Sequence, residues 1–307
     1  MNAHGLDQNS IHAFLSRRFA RVADLESLQG GEWSSAYAFN AGSDQLVVRF
    51  GPYREDFEKE DVASTWTLPG LPIPEVLEMG DAFGGAYIVS RRKYGMKLAD
   101  VEGSRVNSVV SNLVELLVTV QTIRLPGTGY GIWLAPTCNA PYPTWRAYLQ
   151  SVGDRDESRL VNWRAKLSAF ANGMETFLHG CEVFHAQLRH VPNTRHVIHA
   201  DLLLNHLIAP DNSVSAVFDW GNAMVGDPLY DIAWIAACIP WFPAIDRSHL
   251  LAVARSSFGV VFSEERLKIY EFHILLTEMP YLAFADRGQE LMEAFDRLKT
   301  VLAEFGH

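Results

Sequence analysis

The chain has 307 residues, of which 48% are apolar and 20% are charged, and its formal net charge is −10. This composition is typical of a globular protein and excludes disordered and fibrous classes, while the length allows two compact units. The negative charge argues against nonspecific nucleic-acid binding and suits a cationic small-molecule ligand.

Two features bear on the location of the protein. Residues 1–10 lack the basic segment and apolar segment of a secretory signal. The longest apolar run, residues 232–245, contains Pro240 and Pro243 and is shorter than the roughly 20 residues that a membrane-spanning helix needs. We therefore expect a cytoplasmic protein with no membrane partner.

The beginning of the chain is predicted to be rich in β-structure. Ser10 can cap a helix whose apolar residues follow at helical spacing and which ends near Ala23. A charged helical stretch is predicted at residues 57–66. Strand patterns flank this stretch, three before it and two after it, at residues 25–29, 33–40, 45–50, 76–79 and 86–90.

After Arg92 the patterns become mainly helical. Long helical patterns occupy residues 106–123, 163–188 and 264–272, and short strand patterns occupy residues 195–199, 207–209 and 214–218. The predicted fold class is therefore α+β, with a small β-rich N-lobe over residues 1–92 and a larger, mainly helical C-lobe over residues 93–307.

Two acidic segments stand in the order and spacing of the protein-kinase motifs. His199 and Asp201 occur in an HxD sequence, and Asp219 begins a D-W-G sequence at the end of an apolar strand pattern. In kinases the first aspartate orients and deprotonates the substrate hydroxyl, and the second binds magnesium. An HxD sequence alone is a weak motif, but the spaced D-x-G strengthens it. The pattern predicts Asp201 as the catalytic base, in contact with the substrate, and Asp219 as a metal ligand.

The N-lobe is predicted to bind the nucleotide. A Gly-rich turn that contains Gly31, Ser34 and Ser35 lies where a phosphate-covering loop belongs. Within the third strand pattern, the segment Leu46-Val47-Val48-Arg49 ends in a cation where the kinase V-A-I-K pattern has its lysine. The planar guanidinium of Arg49 can contact both a phosphate and a carboxylate on the next helix, for which Glu60 is preferred over Glu58. A solvent-facing arginine at a strand end is the alternative.

At these residues the sequence resembles the aminoglycoside phosphotransferase family, and within it the hygromycin B phosphotransferases most. The resemblance covers most of the chain from about residue 11 to residue 241. It is carried by Gly31 with Glu32, Ser34 and Ala36, by Val48 and Arg49, by residues 71–77, by Ser90, Arg91 and Arg92, by residues 144–146, by residues 199–201, by Ala216, Val217, Asp219 and Trp220, and by Gly226 and Asp227.

This resemblance implies a two-lobed protein-kinase-like fold, ATP or GTP as phosphate donor, magnesium as cofactor, and phosphorylation of a hydroxyl on a sugar-containing substrate. It places Ser90 and Arg92 among the nucleotide-binding residues and Trp241 near the substrate. Trp241 can stack on a sugar ring, or it can be a core residue of an apolar helix.

The predicted metal site departs from the family pattern. The position five residues after Asp201 is His206, and the usual asparagine stands one residue earlier as Asn205. Either side chain can be the second metal ligand, although magnesium prefers oxygen, and Asn205 can also contact the substrate. The sequence also resembles macrolide phosphotransferases in having histidine at position 206.

Three alternatives to an antibiotic kinase therefore stay open. The same fold can phosphorylate a macrolide or an endogenous metabolite. It can also bind a nucleotide without catalysis, which the departure at His206 would allow. The third alternative is a zinc hydrolase, whose ligands would come from His196, His199, Asp201 and His206, although no HExxH spacing supports it.

Overall fold

The structure is a computed structural model, and it describes residues 6–28, 31, 33–103, 105–154, 158–202 and 207–306. The chain divides into two compact units. The first unit consists of Met1–Ile123, Leu134–Cys138 and Asp201–Ala223, and the second consists of Arg124–Trp133, Asn139–Ala200 and Met224–His307. This division follows compactness, so the functional boundary that we expect at residue 92 stays a prediction.

The first unit is built on a five-stranded antiparallel sheet, in the order β1-β2-β3-β5-β4. All five strand patterns of the N-terminal part are therefore strands of one sheet. Side chains on both faces of the sheet are buried: Tyr87 and Val89 of β5 belong to one core cluster, and Ala86 and Ile88 belong to another. The strands are β1 (Val22–Leu28), β2 (Ser35–Ala41), β3 (Asp44–Gly51), β4 (Val76–Ala82) and β5 (Gly85–Arg91).

Two helices of the first unit pack against this sheet. Helix α1 (Gln8–Ser16) buries Ile11 and Leu15 in a core with Phe39, Val48 and other residues of the strands. Helix α2 (Arg54–Ser64) packs Phe57 against Ala86 and Ile88 of β5 in a separate cluster.

The predicted bounds of α1 were wrong at both ends. Asp7, not Ser10, caps the helix: its carboxylate accepts a hydrogen bond of 3.0 Å from the backbone N–H of Ser10. The helix ends at Ser16 and not near Ala23, and Arg21 adopts a positive φ of 55° immediately before β1. A left-handed residue cannot continue a right-handed helix, so the apolar spacing beyond Ser16 belongs to the connection.

Helix α3 and a small sheet complete the ordered elements of the first unit. Helix α3 (Arg105–Val120) has an apolar face and buries eight of its side chains. The small sheet has the order β10-β9-β6, from Val214–Ala216, Leu207–Ile208 and Met96–Lys97. Its strand β10 leads directly into the segment that carries Asp219.

The second unit is mainly helical and is organised around one long helix. Helix α9 buries residues on all sides, which is expected of a helix at the centre of a core. Helices α5, α6, α7 and α10 pack against it. The helices of this unit are α4 (Trp145–Gln150), α5 (Trp163–Ser168), α6 (Gly173–Gln187), α7 (Leu229–Cys238), α8 (Arg247–Phe258), α9 (Glu264–Phe284) and α10 (Gly288–Glu304). A short sheet has the order β7-β11-β8, from Gly131–Ile132, Met224–Gly226 and His196–Ile198.

Two predicted helices of this part differ from the structure. The single helix predicted over residues 163–188 is interrupted between α5 and α6, where Asn172 adopts a left-handed φ of 57°. Asparagine tolerates this conformation better than most residues, which makes it a local stop. Helix α9 continues past the predicted end at residue 272 to Phe284 and includes Pro280 in its interior.

The structure also bears on membrane association. Within the ranges that the structure describes, no helix is long and apolar enough to cross a membrane. The apolar run at residues 232–245 instead forms the end of α7 and a short 3₁₀ helix, Ile239–Trp241.

Candidate functional site

The turn that carries Asp219 is fixed in place by the buried side chain of the next residue, Trp220. Asp219 has φ of 62° and ψ of 55°, and it occupies the N-cap position of a short 3₁₀ helix, Trp220–Asn222, without a capping hydrogen bond from its side chain. The indole of Trp220 is fully buried and anchors this turn in the first unit. We call residues 219–223 the acidic turn.

Asp201 is joined to the acidic turn by a side chain. Asn222 Nδ2 donates a hydrogen bond of 3.2 Å to Asp201 Oδ2. Asn222 was not predicted as a site residue; its position three residues after Asp219 is the sequence feature that could have indicated it. The structure thus links the predicted base to the turn that carries the predicted metal ligand.

Arg49 and Glu60 form a partly buried ion pair between β3 and α2. The predicted preference for Glu60 is confirmed, because Glu58 instead pairs with Arg54 at 3.0 Å. Burial lowers the pKa of Arg49, but attraction to Glu60 and then to Asp219 outweighs burial and leaves that pKa above its usual value. Arg49 is therefore a permanent cation beside the acidic turn.

The charges around this pair fit a divalent cation. Burial raises the pKa of Glu60, and Asp219 and Asp56 raise that pKa further against the lowering effect of Arg49. The negative charges of Asp219 and Asp56 thus repel the charge on Glu60, and this repulsion contributes to the raised pKa of Glu60. A divalent cation would relieve this repulsion, and the carboxylate oxygens are the ligand type that magnesium prefers.

Helix α2 lies directly on the acidic turn, and Gly221 shows how close the approach is. A Cβ atom added at Gly221 would lie 2.9 Å from Cγ of Asp56. The glycine of the D-W-G sequence is therefore needed for packing. On the same helix, the buried Lys59 donates hydrogen bonds to carbonyls of the acidic turn. Lys59 was not predicted as a site residue, because it stands in a helix rich in charged residues.

The remaining predicted nucleotide-binding residues lie around the sheet of the first unit. Gly31 and Ser34 precede β2, and an added Cβ at Gly31 would meet nothing within 4 Å. Ser35 is buried at the start of β2 and Ser90 lies on β5 opposite Val47 of β3. Their roles stay predictions.

Arg92 follows β5 and pairs within its own sheet. Its guanidinium lies 3.3 Å from a carboxylate oxygen of Glu26 on β1 and 5.0 Å from the ring centroid of Tyr94. No described contact joins Arg92 to Arg49 or Asp219, so its assignment to the nucleotide stays a prediction.

Trp241 belongs to the second unit and is not a core residue. Its side chain is 40% exposed, and the guanidinium carbon of Arg297 lies 5.4 Å from its ring centroid. Asn205 and His206 lie outside the described residues. Among the residues that are described, no three or more His, Cys, Asp or Glu side chains gather as a metal-binding group.

Within the second unit, Asp231 fixes the backbone that precedes Asp201. Its two carboxylate oxygens accept hydrogen bonds from the backbone N–H groups of His199, at 3.0 Å, and Ala200, at 2.8 Å. Ala200 has a positive φ of 63°, which is uncommon for alanine and needs such support. Asp231 therefore holds the backbone of His199 and Ala200 in this conformation.

The pH dependence of stability should report on Asp231. Burial raises its pKa to about 7, against the lowering effect of the two backbone donors. A raised carboxyl pKa contributes stability that is present below the unfolded value near 4 and is lost as the pH rises through about 7. We therefore expect wild type to lose stability relative to Asp231→Asn between these values, by up to about 1.4 kcal/mol per pH unit.

Chemical unfolding of both proteins at several pH values between 4 and 8 measures this difference. The other titrating groups are shared and cancel in the comparison. Parallel stability curves for the two proteins would contradict a raised pKa at Asp231.

The first unit has a five-stranded sheet with helix α2, the second unit is mainly helical, and two acidic segments follow the kinase order. These features define a protein-kinase-like phosphotransferase that acts on a hydroxyl group. Residues 24–270 match the phosphotransferase enzyme family, and the chain belongs to that family. The predicted α+β fold class and the family assignment are confirmed.

Particular relatives are known in sequence and structure. Hygromycin-B 4-O-kinase of Escherichia coli is 28% identical over 250 residues, which cover 79% of this chain and 70% of the relative. A thermostable variant of aminoglycoside phosphotransferase APH(4)-Ia, in a ternary complex with AMP-PNP and hygromycin B, has a TM-score of 0.83 and 25% identity, covering 97% of this chain and 99% of that one. Spectinomycin phosphotransferase APH(9)-Ia, in complex with ADP and spectinomycin, shares the fold at a TM-score of 0.61 and 12% identity, covering 96% of this chain and 94% of that one.

Proposed function

We propose that this protein transfers the γ-phosphoryl group of ATP or GTP to a hydroxyl of an aminoglycoside or aminocyclitol such as hygromycin B. The observation that carries the proposal is the link between Asp201 and the acidic turn through Asn222. It joins a candidate base to a candidate metal ligand in one unit. The relatives that bind or are named for hygromycin B favour this substrate class.

In the proposed reaction, Asp201 accepts a hydrogen bond from the acceptor hydroxyl and takes its proton. The hydroxyl oxygen forms a bond to the γ-phosphorus, and the bond from that phosphorus to the bridging β,γ oxygen breaks, which releases the nucleoside diphosphate. The transition state needs positioning and charge stabilisation more than covalent chemistry. A fixed carboxylate at position 201 supplies the positioning.

The remaining roles follow from the charges of the site. Arg49, held by Glu60, would bind phosphate oxygens of the donor. Magnesium, when bound through Asp219, would neutralise charge on the triphosphate. Asn205 or His206 would complete the metal site. The nucleotide would also contact the residues predicted from the sequence, namely Gly31, Ser34, Ser35, Ser90 and Arg92.

Trp241 is the proposed substrate contact of the second unit. Its exposed ring can stack on a sugar, and the guanidinium of Arg297 is near the ring, which restricts the ring's movement. The net charge of −10 favours a cationic substrate over an anionic one. An aminocyclitol antibiotic, which carries both ammonium groups and sugar rings, combines these properties.

Phosphate transfer from labelled ATP or GTP to a panel of acceptors tests the proposal. We expect magnesium-dependent labelling of hygromycin B, and a KM for it that rises about 2-fold to 12-fold in Trp241→Ala with little change in kcat, because a lost stacking contact is worth about 0.5–1.5 kcal/mol. Macrolides and sugar metabolites belong in the panel, since His206 is shared with macrolide phosphotransferases.

The outcomes separate the candidate functions. Labelling of a macrolide or a metabolite alone would reject the aminoglycoside assignment and keep the kinase. Nucleotide binding without transfer to any acceptor, and without slow nucleotide hydrolysis, would favour a binding protein. Turnover that requires tightly bound zinc would instead support the hydrolase alternative.

A further inference from the structure

We propose that Lys59 is a positioning residue that fixes the acidic turn from helix α2 and thereby sets the affinity of the site for its metal. The inference rests on the proposed function, because it assigns the metal to Asp219. Lys59 is only 2% exposed. Its Nζ donates hydrogen bonds of 2.6 Å to the carbonyl oxygen of Gly221 and 3.3 Å to that of Ala223.

The carbonyls that Lys59 contacts are those that a short helix leaves without partners. The last carbonyl groups of any helix lack intrahelical donors, and they carry the negative end of the helix dipole. Gly221 lies in the 3₁₀ helix of the acidic turn and Ala223 is its C-cap. Both residues are buried, so water is a poor substitute for a donor. An ammonium group with three donors suits this location.

Two consecutive residues of α2 serve two different parts of the site. Lys59 binds the carbonyls of the acidic turn, and Glu60 pairs with Arg49 on β3. A displacement of α2 would therefore disturb both the phosphate-binding cation and the segment that carries Asp219. The helix couples the two parts mechanically.

Further contacts show that α2 and the acidic turn meet along their length. Asp56, one turn before Lys59, packs against Gly221 so closely that a Cβ does not fit. Trp66, just beyond the end of α2, meets Trp220 edge to face with ring centroids 5.1 Å apart. Lys59 lies between these contacts, where its loss would free the centre of the turn.

The test compares Lys59→Met, Lys59→Arg and Lys268→Met in the full chain. Methionine keeps much of the lysine volume and removes the donor, arginine restores a charged donor, and Lys268 is an exposed lysine of α9 that serves as the matched control. Magnesium-dependent nucleotide binding is measured by tryptophan fluorescence, and turnover is measured separately. Circular dichroism and thermal unfolding establish that each variant is folded.

For Lys59→Met we expect the magnesium concentration at half-maximal nucleotide binding to rise about 10-fold to 100-fold, the range seen when supports of metal ligands are removed. We expect kcat to fall, the KM for the acceptor to stay within about twofold, and Lys59→Arg to recover a large part of both losses. Lys268→Met should match wild type.

Other results would overturn the inference. A folded Lys59→Met with wild-type magnesium dependence shows that Lys59 only fills the core. If Lys59→Met does not fold, Lys59→Arg is the variant that tests the inference. A folded Lys59→Arg in which both the magnesium dependence of nucleotide binding and kcat differ strongly from wild type would exclude the donor role. Wild type that binds nucleotide equally with and without magnesium would remove the proposed function as well as the inference.

Discussion

Asp201→Asn should lower kcat by about 100-fold or more and leave the nucleotide KM nearly unchanged. The carboxylate is the proposed proton acceptor, and general-base groups typically contribute this much. Asparagine keeps an oxygen that can accept the hydrogen bond from Asn222, so the link to the acidic turn survives. The substitution therefore removes the base while it preserves the geometry.

Steady-state kinetics with saturating nucleotide and acceptor measures this effect. Asp211→Asn is the matched control, because Asp211 is an exposed aspartate of the same unit whose carboxylate accepts hydrogen bonds from Ser213 in a local turn. We expect the control to stay within about twofold of wild type. Equal turnover of wild type and Asp201→Asn would remove the base assignment and favour a nucleotide-binding protein without catalysis.

The sheet of the first unit could be predicted because its determinants are local. The strands are short apolar runs bounded by turns, and the pairs β2–β3 and β4–β5 are each joined by a two-residue turn. The ends of helices were less predictable. The cap of α1 depended on whether Asp7 or Ser10 turned towards the free N–H groups, and the break before α6 depended on one left-handed asparagine at position 172.

Some residues of the candidate site could likewise be predicted from the sequence, and others could not. Asp201, Asp219 and the pair of Arg49 with Glu60 could be found because they stand at fixed spacings along the chain. Lys59 could not, since the sequence of α2 has acidic and basic residues on every side and does not reveal which of them is buried. Its partners are backbone carbonyls about 160 residues away in sequence, and backbone atoms leave no mark on residue identity.

Arg266→Met should cost the second unit about 3–5 kcal/mol of unfolding free energy, because it leaves a buried carboxylate without its cation. Asp227 is fully buried, and Arg266 Nη1 lies 2.5 Å from its Oδ2. The same oxygen accepts a hydrogen bond of 2.7 Å from the Tyr270 hydroxyl, and Oδ1 accepts one of 3.1 Å from the backbone N–H of Leu229. These neutral donors orient Asp227 but cannot neutralise its charge.

The expected loss is measured by chemical unfolding against Arg255→Met as control. Arg255 pairs with Glu264 in the same unit, but both side chains are more than half exposed, and such pairs contribute about 0–1 kcal/mol. The double variant Arg266→Met with Asp227→Asn should be more stable than Arg266→Met alone, because no charge is then left buried. If Arg266→Met costs no more than Arg255→Met, water reaches Asp227 and the pair is not needed for stability. A large loss that Asp227→Asn fails to relieve would instead assign the effect to the packing of the arginine side chain and to its hydrogen bond with the carbonyl of Val261.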